Sequence, residues 1–386
     1  MRKKRTIAVL FLSIYILSGC NIAEQEESNL ETINLAVQDS SKEENSKQTA
    51  RVDDEDKKTI KLDFEIADNI SIDAEIETAD QGGLITYSVE AKEFIFEQVA
   101  QALNVETVDM TEQYNPNGRY VEMSNGEVLF VKNDGGIDYI DSQETENILY
   151  LIQTAYASEL DQGNNISTKV FENESQINTL EDKINQMCGF SENEKIQLLA
   201  GVQVENDVLL EQQQKEFDLG ILQYDIEIGK YQELEGAVVS DKCYYLIFGC
   251  TIDDIPVLGM QEPAIRSADD NAIIRVTSAR VLIDNGRIRS MELDGMFDIK
   301  ADDKTQLKSI EEICDTLKKK YEIEIITAPR VIKKAYLEYV FVHDNSSADL
   351  SKGKLVPYWC FEVQMDDHIY AERINAITGG DFAYGE

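Results

Sequence analysis

The chain has 386 residues, of which 36 are basic and 74 acidic, for a net charge of −38. Such a field repels nucleic acid, anionic lipid head groups and acidic wall polymers, and it favours basic partners or divalent cations. A solvated, soluble surface accounts for the same charge without any ligand.

The chain opens with Arg2, Lys3, Lys4 and Arg5, followed by an apolar run over residues 7–17 broken only by Ser13. A spanning helix needs about 20 apolar residues, so this run has the length of a signal-peptide core instead. It ends in Leu17-Ser18-Gly19-Cys20, which resembles the bacterial lipobox. The resemblance implies cleavage before Cys20, with diacylglycerol on its thiol. Residues 1–19 are then a lipoprotein signal peptide, and lipid on Cys20 holds the chain at the outer face of the cytoplasmic membrane. Two acyl chains, at about 0.8 kcal/mol per buried methylene, suffice for stable anchoring. Losing residues 1–19 removes four positive charges and takes the net charge to −42.

With Cys20 lipidated, Cys188, Cys243, Cys250, Cys314 and Cys360 remain. An odd number is a poor disulfide framework, and buried thiols acting as small hydrophobes are expected. Cys243 and Cys250 can pair only if their strands bring them together.

Residues 20–58 are rich in Glu, Ser, Gln, Asn, Asp and Lys and poor in aromatics. They cannot bury enough apolar surface to offset ordering entropy and read as a disordered acidic tether of roughly 35 Å.

The remainder is long enough for two α+β domains, over 59–165 and 177–386, with antiparallel sheets and packed helices. In the first, 61–66 and 84–89 read as strands. Residues 91–103 read as a helix with Phe94, Phe96, Val99 and Leu103 mainly on one side. Strands over 120–123 and 127–131 flank Asn125-Gly126, a hairpin signal because both residues accept φ > 0. A turn at Asp134-Gly135-Gly136 leads into a strand at 137–140, and 144–160 reads as a helix.

In the second domain, Ser191-x-x-Glu194 has the form of a capping box opening a helix through Ile196 and Leu199. A strand is expected over 221–228, and another over 244–252 reaching Asp253-Asp254. Asn285-Gly286 signals a hairpin between 279–284 and 287–293. A helix is expected over 304–320, with Leu307, Ile310, Cys314 and Leu317 on one face. Strands at 336–342 and 358–365 follow, the last reaching Asp366-Asp367. The two Asp-Asp turns lie 113 residues apart, which suggests a tandem helix–strand–hairpin repeat. Over 358–365, Trp359, Phe361, Val363 and Met365 alternate with polar or small residues, so one face packs on a core. That places Trp359, the single tryptophan, in a core.

Val356-Pro357-Tyr358-Trp359 and Asn375-Ala376-Ile377-Thr378-Gly379-Gly380 resemble the closing hairpin of PepSY-like domains and of the extracytoplasmic YycH/YycI regulators. The resemblance covers roughly the last 200 residues. It implies tandem helix-plus-antiparallel-sheet units and a role in modulating an envelope protein. Those regulators are held by an uncleaved transmembrane helix, whereas here a lipobox stands in its place. The whole chain also resembles uncharacterised clostridial-type surface lipoproteins.

No His-Glu-x-x-His, Gly-x-Ser-x-Gly, Cys-x-x-Cys or phosphate-binding Gly-x-x-x-x-Gly-Lys sequence is present. The two histidines, His343 and His368, read as turn residues. Asp134-Gly-Gly-Ile-Asp138 and Asp344-Asn345-Ser346 have the look of calcium loops but lack the ligand series of an EF-hand, and turn chemistry explains both. The sequence therefore assigns lipidation to Cys20 and no catalytic, cofactor or metal role to any residue. The expected function is a noncatalytic, tethered binding or regulatory protein with an envelope-protein partner. The alternatives are a transporter's substrate-binding lipoprotein, marked by a deep cleft, and a carboxylate-based envelope hydrolase, marked by two acids in one concave pocket.

Overall fold

The computed structural model describes residues 58–78, 83–106, 110–160, 170, 174–229, 231–236, 238–258, 277–322, 326, 328–343, 351–365 and 368–380. Cys20, the tether to residue 57, 344–346 and 366–367 lie outside the described residues.

The elements in chain order begin with β1 (Lys58–Ala67), β2 (Ile70–Thr78), β3 (Leu84–Ala91) and α1 (Phe96–Leu103). A meander follows: β4 (Met110–Asn115), β5 (Gly118–Met123), β6 (Val128–Lys132) and β7 (Ile137–Ile140). Then come α2 (Gln143–Ala155), α3 (Ala157–Leu160), α4 (Glu174–Cys188) and β8 (Glu194–Gln203). Helices α5 (Asn206–Asp218) and α6 (Ile221–Glu227) lead to β9 (Cys243–Ile252), β10 (Ile255–Pro256), β11 (Ser278–Asp284), β12 (Arg287–Asp294) and β13 (Phe297–Thr305). The chain continues through α7 (Ile310–Glu322), β14 (Arg330–His343), β15 (Lys352–Met365) and β16 (His368–Asn375). This is the expected α+β class.

The described strands form two sheets. One has seven strands in the order β1-β2-β14-β15-β3-β13, with β16 also paired to β15. The other has nine, in the order β10-β9-β11-β12-β7-β6-β5-β4, with β8 also paired to β9. The expected division between 59–165 and 177–386 is not a division between sheets. β2 pairs in parallel with β14, β3 pairs with β13 and β15, and β7 pairs with β12. Strands from the front of the chain leave open edges that strands from its end complete, so both sheets draw on both segments.

Each sheet is covered by helices that bury one apolar stripe. On α4, Ile177, Leu180, Ile184 and Cys188 recur at helical spacing and are all buried, beside Val99 and Leu103 of α1 and one face of the nine-stranded sheet. The opposite face packs against Ile148, Leu151 and Ile152 of α2 and Leu209 of α5. Helix α7 lays Ile313 and Leu317 on Ile72, Ile76, Ile332, Trp359 and Phe361 of the seven-stranded sheet. The two sheets meet where Cys250 and Ile252 of the nine-stranded sheet, with Val257 just beyond β10, pack on Tyr87, Phe297, Tyr339 and Phe341 of the seven-stranded one, and Tyr87 Oη donates to Asp253 at 2.8 Å.

A helix followed by an antiparallel meander does recur, but not in the expected phase. The residues expected to form a helix after Ser191 form strand β8, and the expected strand over 221–228 is helix α6. The Ser191–Glu194 motif makes only one half of the capping-box contact, with Glu194 Oε2 accepting from Ser191 N at 3.1 Å while Glu194 N bonds Ser191 O. It closes a turn into a strand, because Ile196 and Ala200 of β8 are buried by pairing with β9. At Ser309 and Glu312 both halves form and open α7, with Ser309 N donating to Glu312 Oε2 at 3.0 Å and Glu312 N to Ser309 Oγ at 3.3 Å. Helices α4 and α7 begin 136 residues apart (174 and 310), and so do β8 and β14 (194 and 330). The 113-residue offset holds only for the later strands, because α5 and α6 are inserted between β8 and β9.

The hairpin signals fare better. Asn285 and Gly286 both have positive φ, as do Asp253 and Asp254. At Asn125-Gly126 only Gly126 does, and Met123 N bonds Glu127 O at 2.8 Å, so this hairpin has a longer loop. The closing turn is built by Asn375, whose Oδ1 accepts from Ile377 N and Thr378 N, each at 2.9 Å. Ala376 N bonds Pro357 O, and Ala376 O accepts from Lys308 N, which ties this exit to the start of α7.

Candidate functional site

Residues singled out in the sequence scatter through the structure. Trp359 is 4% exposed in the core beneath α7. His343 Nδ1 lies 3.0 Å from Lys352 O beside the β14–β15 connection. Cys188, Cys243, Cys250, Cys314 and Cys360 are buried free thiols. Burial pushes Cys188 and Cys314 each up to about 12, which keeps them protonated. Cys243 and Cys250 lie seven positions apart on one strand, on opposite faces, roughly 23 Å apart, so they cannot bridge. Asp138 does not complete a turn loop, since it stands on β7.

Asp138 instead joins a charged group that pairing of β7 with β12 assembles. Lys132 Nζ lies 2.7 Å from Asp138 Oδ1 and 3.1 Å from Asp294 Oδ1. Arg280 on β11 lies 2.6 Å from Glu292 and 3.7 Å from Asp294. Burial works against the Lys132 charge, but Asp138 and Asp294 outweigh it and hold its pKa above the usual lysine range. Burial also raises Asp138, and it lifts Glu292 to about 7 against the opposing pull of Arg280. The three carboxylates stand within metal-ligand reach of one another. Lys132 and Arg280 already supply their counter-charge, so the group acts as an electrostatic clamp across β6, β7, β11 and β12.

This clamp sets a pH dependence. A carboxyl whose pKa is higher folded than unfolded binds protons preferentially in the folded state. Its contribution is fully present below the unfolded value and is lost as pH rises toward 7. Glu292→Gln should therefore flatten the fall in stability between about pH 5 and 7, and carbon-detected NMR titration of Glu292 should give a midpoint near 7. A midpoint in the ordinary glutamate range would show that Arg280 wins.

The α5–α6 insertion has a different character. Its frame is pinned by polar side chains. Asn206 Oδ1 accepts from Val238 N at 2.8 Å and Val239 N at 3.0 Å. Buried Gln213 bonds Leu234 N, Leu234 O and Tyr231 Oη at 2.8–3.0 Å. Asn147 of α2 donates to Gln232 O at 2.8 Å, and Tyr150 Oη donates to Glu216 at 3.1 Å. On this frame α6 buries only Leu222. Leu219, Ile221, Tyr224, Ile226 and Ile228 are all exposed, Leu219 by 74% and Tyr224 by 64%. Ile221, Tyr224 and Ile228 fall on one side of α6 with Leu219 just before it, and such an apolar stripe needs an account that single exposed apolar residues would not. Sequence reading missed this surface. The signal was present, since Gly220 and Gly229, both at positive φ, bracket a run too rich in Ile and Tyr to be an ordinary loop.

Two cavities among the described residues lie away from this insertion and are small and mostly apolar. One, of about 10 Å³, lies among Ile177, Leu180, Tyr244 and Leu246, and another of equal size lies among Cys250, Val257 and Phe297. Each has room for about one water.

The fold defines an α+β protein of helix-covered, largely antiparallel sheets. A protein from Eubacterium rectale, described as uncharacterized and solved by crystallography at 1.45 Å, shares it at a TM-score of 0.51. The two are 12% identical over 85% of this chain and 94% of that one, a likeness of fold alone. The C-terminal domain of YpeB from Bacillus megaterium aligns at a TM-score of 0.28 and 8% identity, over 74% of this chain and 92% of that one. No family model matches the chain, and no curated protein matches it.

Proposed function

We propose that this chain is a lipoprotein held by Cys20 at the outer face of the cytoplasmic membrane, and that it acts as a noncatalytic binding or regulatory protein for another envelope protein, in the manner of PepSY-like and YycI-like domains. The single observation that carries the binding role is the apolar patch on α6, held out from the fold by a hydrogen-bonded frame. The anchor rests on the basic start, the short apolar run and Leu17-Ser18-Gly19-Cys20. Among the described residues no helix is long and apolar enough to cross a membrane.

Cys20→Ser tests the anchor. A hydroxyl does not replace the thiol in thioether formation, so the variant should lose palmitate labelling and keep residues 1–19. Normal labelling of that variant would overturn the assignment. Crosslinking on intact cells followed by pull-down tests the partner. Recovery of an envelope protein is expected; recovery of none, with a small molecule bound in native mass spectrometry, would count against it.

A further inference from the structure

We infer that the α6 surface is a docking site for a basic amphipathic segment of the partner protein, with apolar residues at helical spacing edged by Lys or Arg. The inference rests on the tethered-binding reading and names the chemistry of its partner.

Three observations carry it. The first is the stripe itself. Ile221, Tyr224 and Ile228 stand three and seven positions apart, so they share one side of the helix, with Leu219 just before it. An amphipathic helix lays such a stripe against another apolar face. The second is charge. Asp218 and Glu227 are exposed at the two ends of the patch, and Asp225 lies within it. Residues 205–235 carry nine acids against two bases, Lys215 and Lys230. Lys215 is paired with Glu211 at 3.0 Å. A basic rim complements this edge, whereas a second copy of a chain at −38 would set like charges together around the patch. The third is preorganisation. Asn206 and Gln213 fix Tyr231, Leu234, Val238 and Val239 against α5, and Leu222 of α6 is buried, so the elements that flank the surface are set before binding.

The insertion also has the right place in the fold. It interrupts one helix-and-meander unit between β8 and β9, where the other unit passes from β14 to β15 in a short connection. Removing its exposed side chains should leave the sheets untouched.

The test uses the full-length lipidated chain in nanodiscs of neutral phosphatidylcholine, with empty nanodiscs as background. The probe is a labelled 18-residue peptide of Leu and Lys arranged as an amphipathic helix. A scrambled peptide of the same composition shares its charge but lacks the stripe. Ile221→Ser/Tyr224→Ser should weaken binding of the amphipathic peptide at least tenfold and change binding of the scrambled one less than threefold, with the thermal melt unchanged. Leu219→Ser serves the same purpose should the double variant melt early. Equal binding by wild type and variants would overturn the inference. Mutual capture of two differently tagged copies, lost in the double variant, would also overturn it, because the occupant would be a second copy. An envelope partner captured from intact cells while the variants bind the peptide normally would discard the α6 surface and keep the tethered-binding reading. Capture of no partner would discard both.

Discussion

Arg373→Ala should cost about 3–5 kcal/mol of folding stability, measured by urea unfolding. Arg373 on β16 and Glu338 on β14 flank β15 and reach across it, with Arg373 Nε donating to Glu338 Oε1. Both side chains are only 4% exposed. Removing one partner leaves the other charge buried with its main counter-charge gone, and that penalty exceeds what the intact pair contributes. The double replacement Arg373→Met/Glu338→Leu should therefore recover most of the loss and can exceed the wild type. A loss under about 1 kcal/mol in Arg373→Ala would mean that water reaches the pair, as it does for surface bridges.

Trp359→Ala should cost a similar 3–5 kcal/mol, through lost burial and the cavity left behind. Trp359 packs with Phe361 and Val363 on the core face of β15, under Ile313 and Leu317 of α7. Its indole N–H is buried without a hydrogen-bond partner among the described residues. Trp359→Phe removes that unsatisfied donor along with some area, so it should cost no more than about 1.5 kcal/mol. As the single tryptophan, Trp359 also reports directly. Its emission should be that of a buried indole in the native chain and shift to the red on unfolding. A solvated emission in the folded protein would contradict the core assignment.

The parts of the fold legible in the sequence were those decided by local chemistry. Period-2 alternation at Trp359, Phe361, Val363 and Met365 marked a strand with one core face; Trp359, Phe361 and Val363 are buried and Met365 half-buried, but Tyr358 and Cys360 on the face expected to meet solvent or a partner are buried as well. Asn285-Gly286 signalled a tight hairpin and Asp253-Asp254 a turn, and all four residues have positive φ. The Asn375 exit was legible because the side chain makes its own turn. Two local signals misled. Ser191-x-x-Glu194 can bond side chain to backbone in a turn without opening a helix, and pairing with β9 decided the outcome. Residues 221–228 gave a strand-like pattern because the core holds only Leu222: Tyr224, Ile226 and Ile228 alternate with polar residues without being buried. The stripe Ile177, Leu180, Ile184 and Cys188 was there to be read and marks α4.

What stayed hidden depends on pairing between distant strands. β2 meets β14 across about 260 residues, and nothing local announces it. The clamp of Lys132, Asp138, Arg280, Glu292 and Asp294 exists only because β7 lies beside β12. In sequence these were ordinary charges on the polar positions of strands.

A protein partner docked on α6 would lie within reach of a group carried at Tyr224. A photoreactive amino acid placed at Tyr224 of the full-length chain, irradiated on intact cells, tests it most directly. A second chain with the same group at Lys61, an exposed position on β1, serves as control. A discrete adduct with an envelope protein is expected from position 224, mapped to a Lys- or Arg-rich segment, and no such adduct from position 61. Absence of any adduct at 224 in cells where the protein is lipidated and folded would contradict such docking.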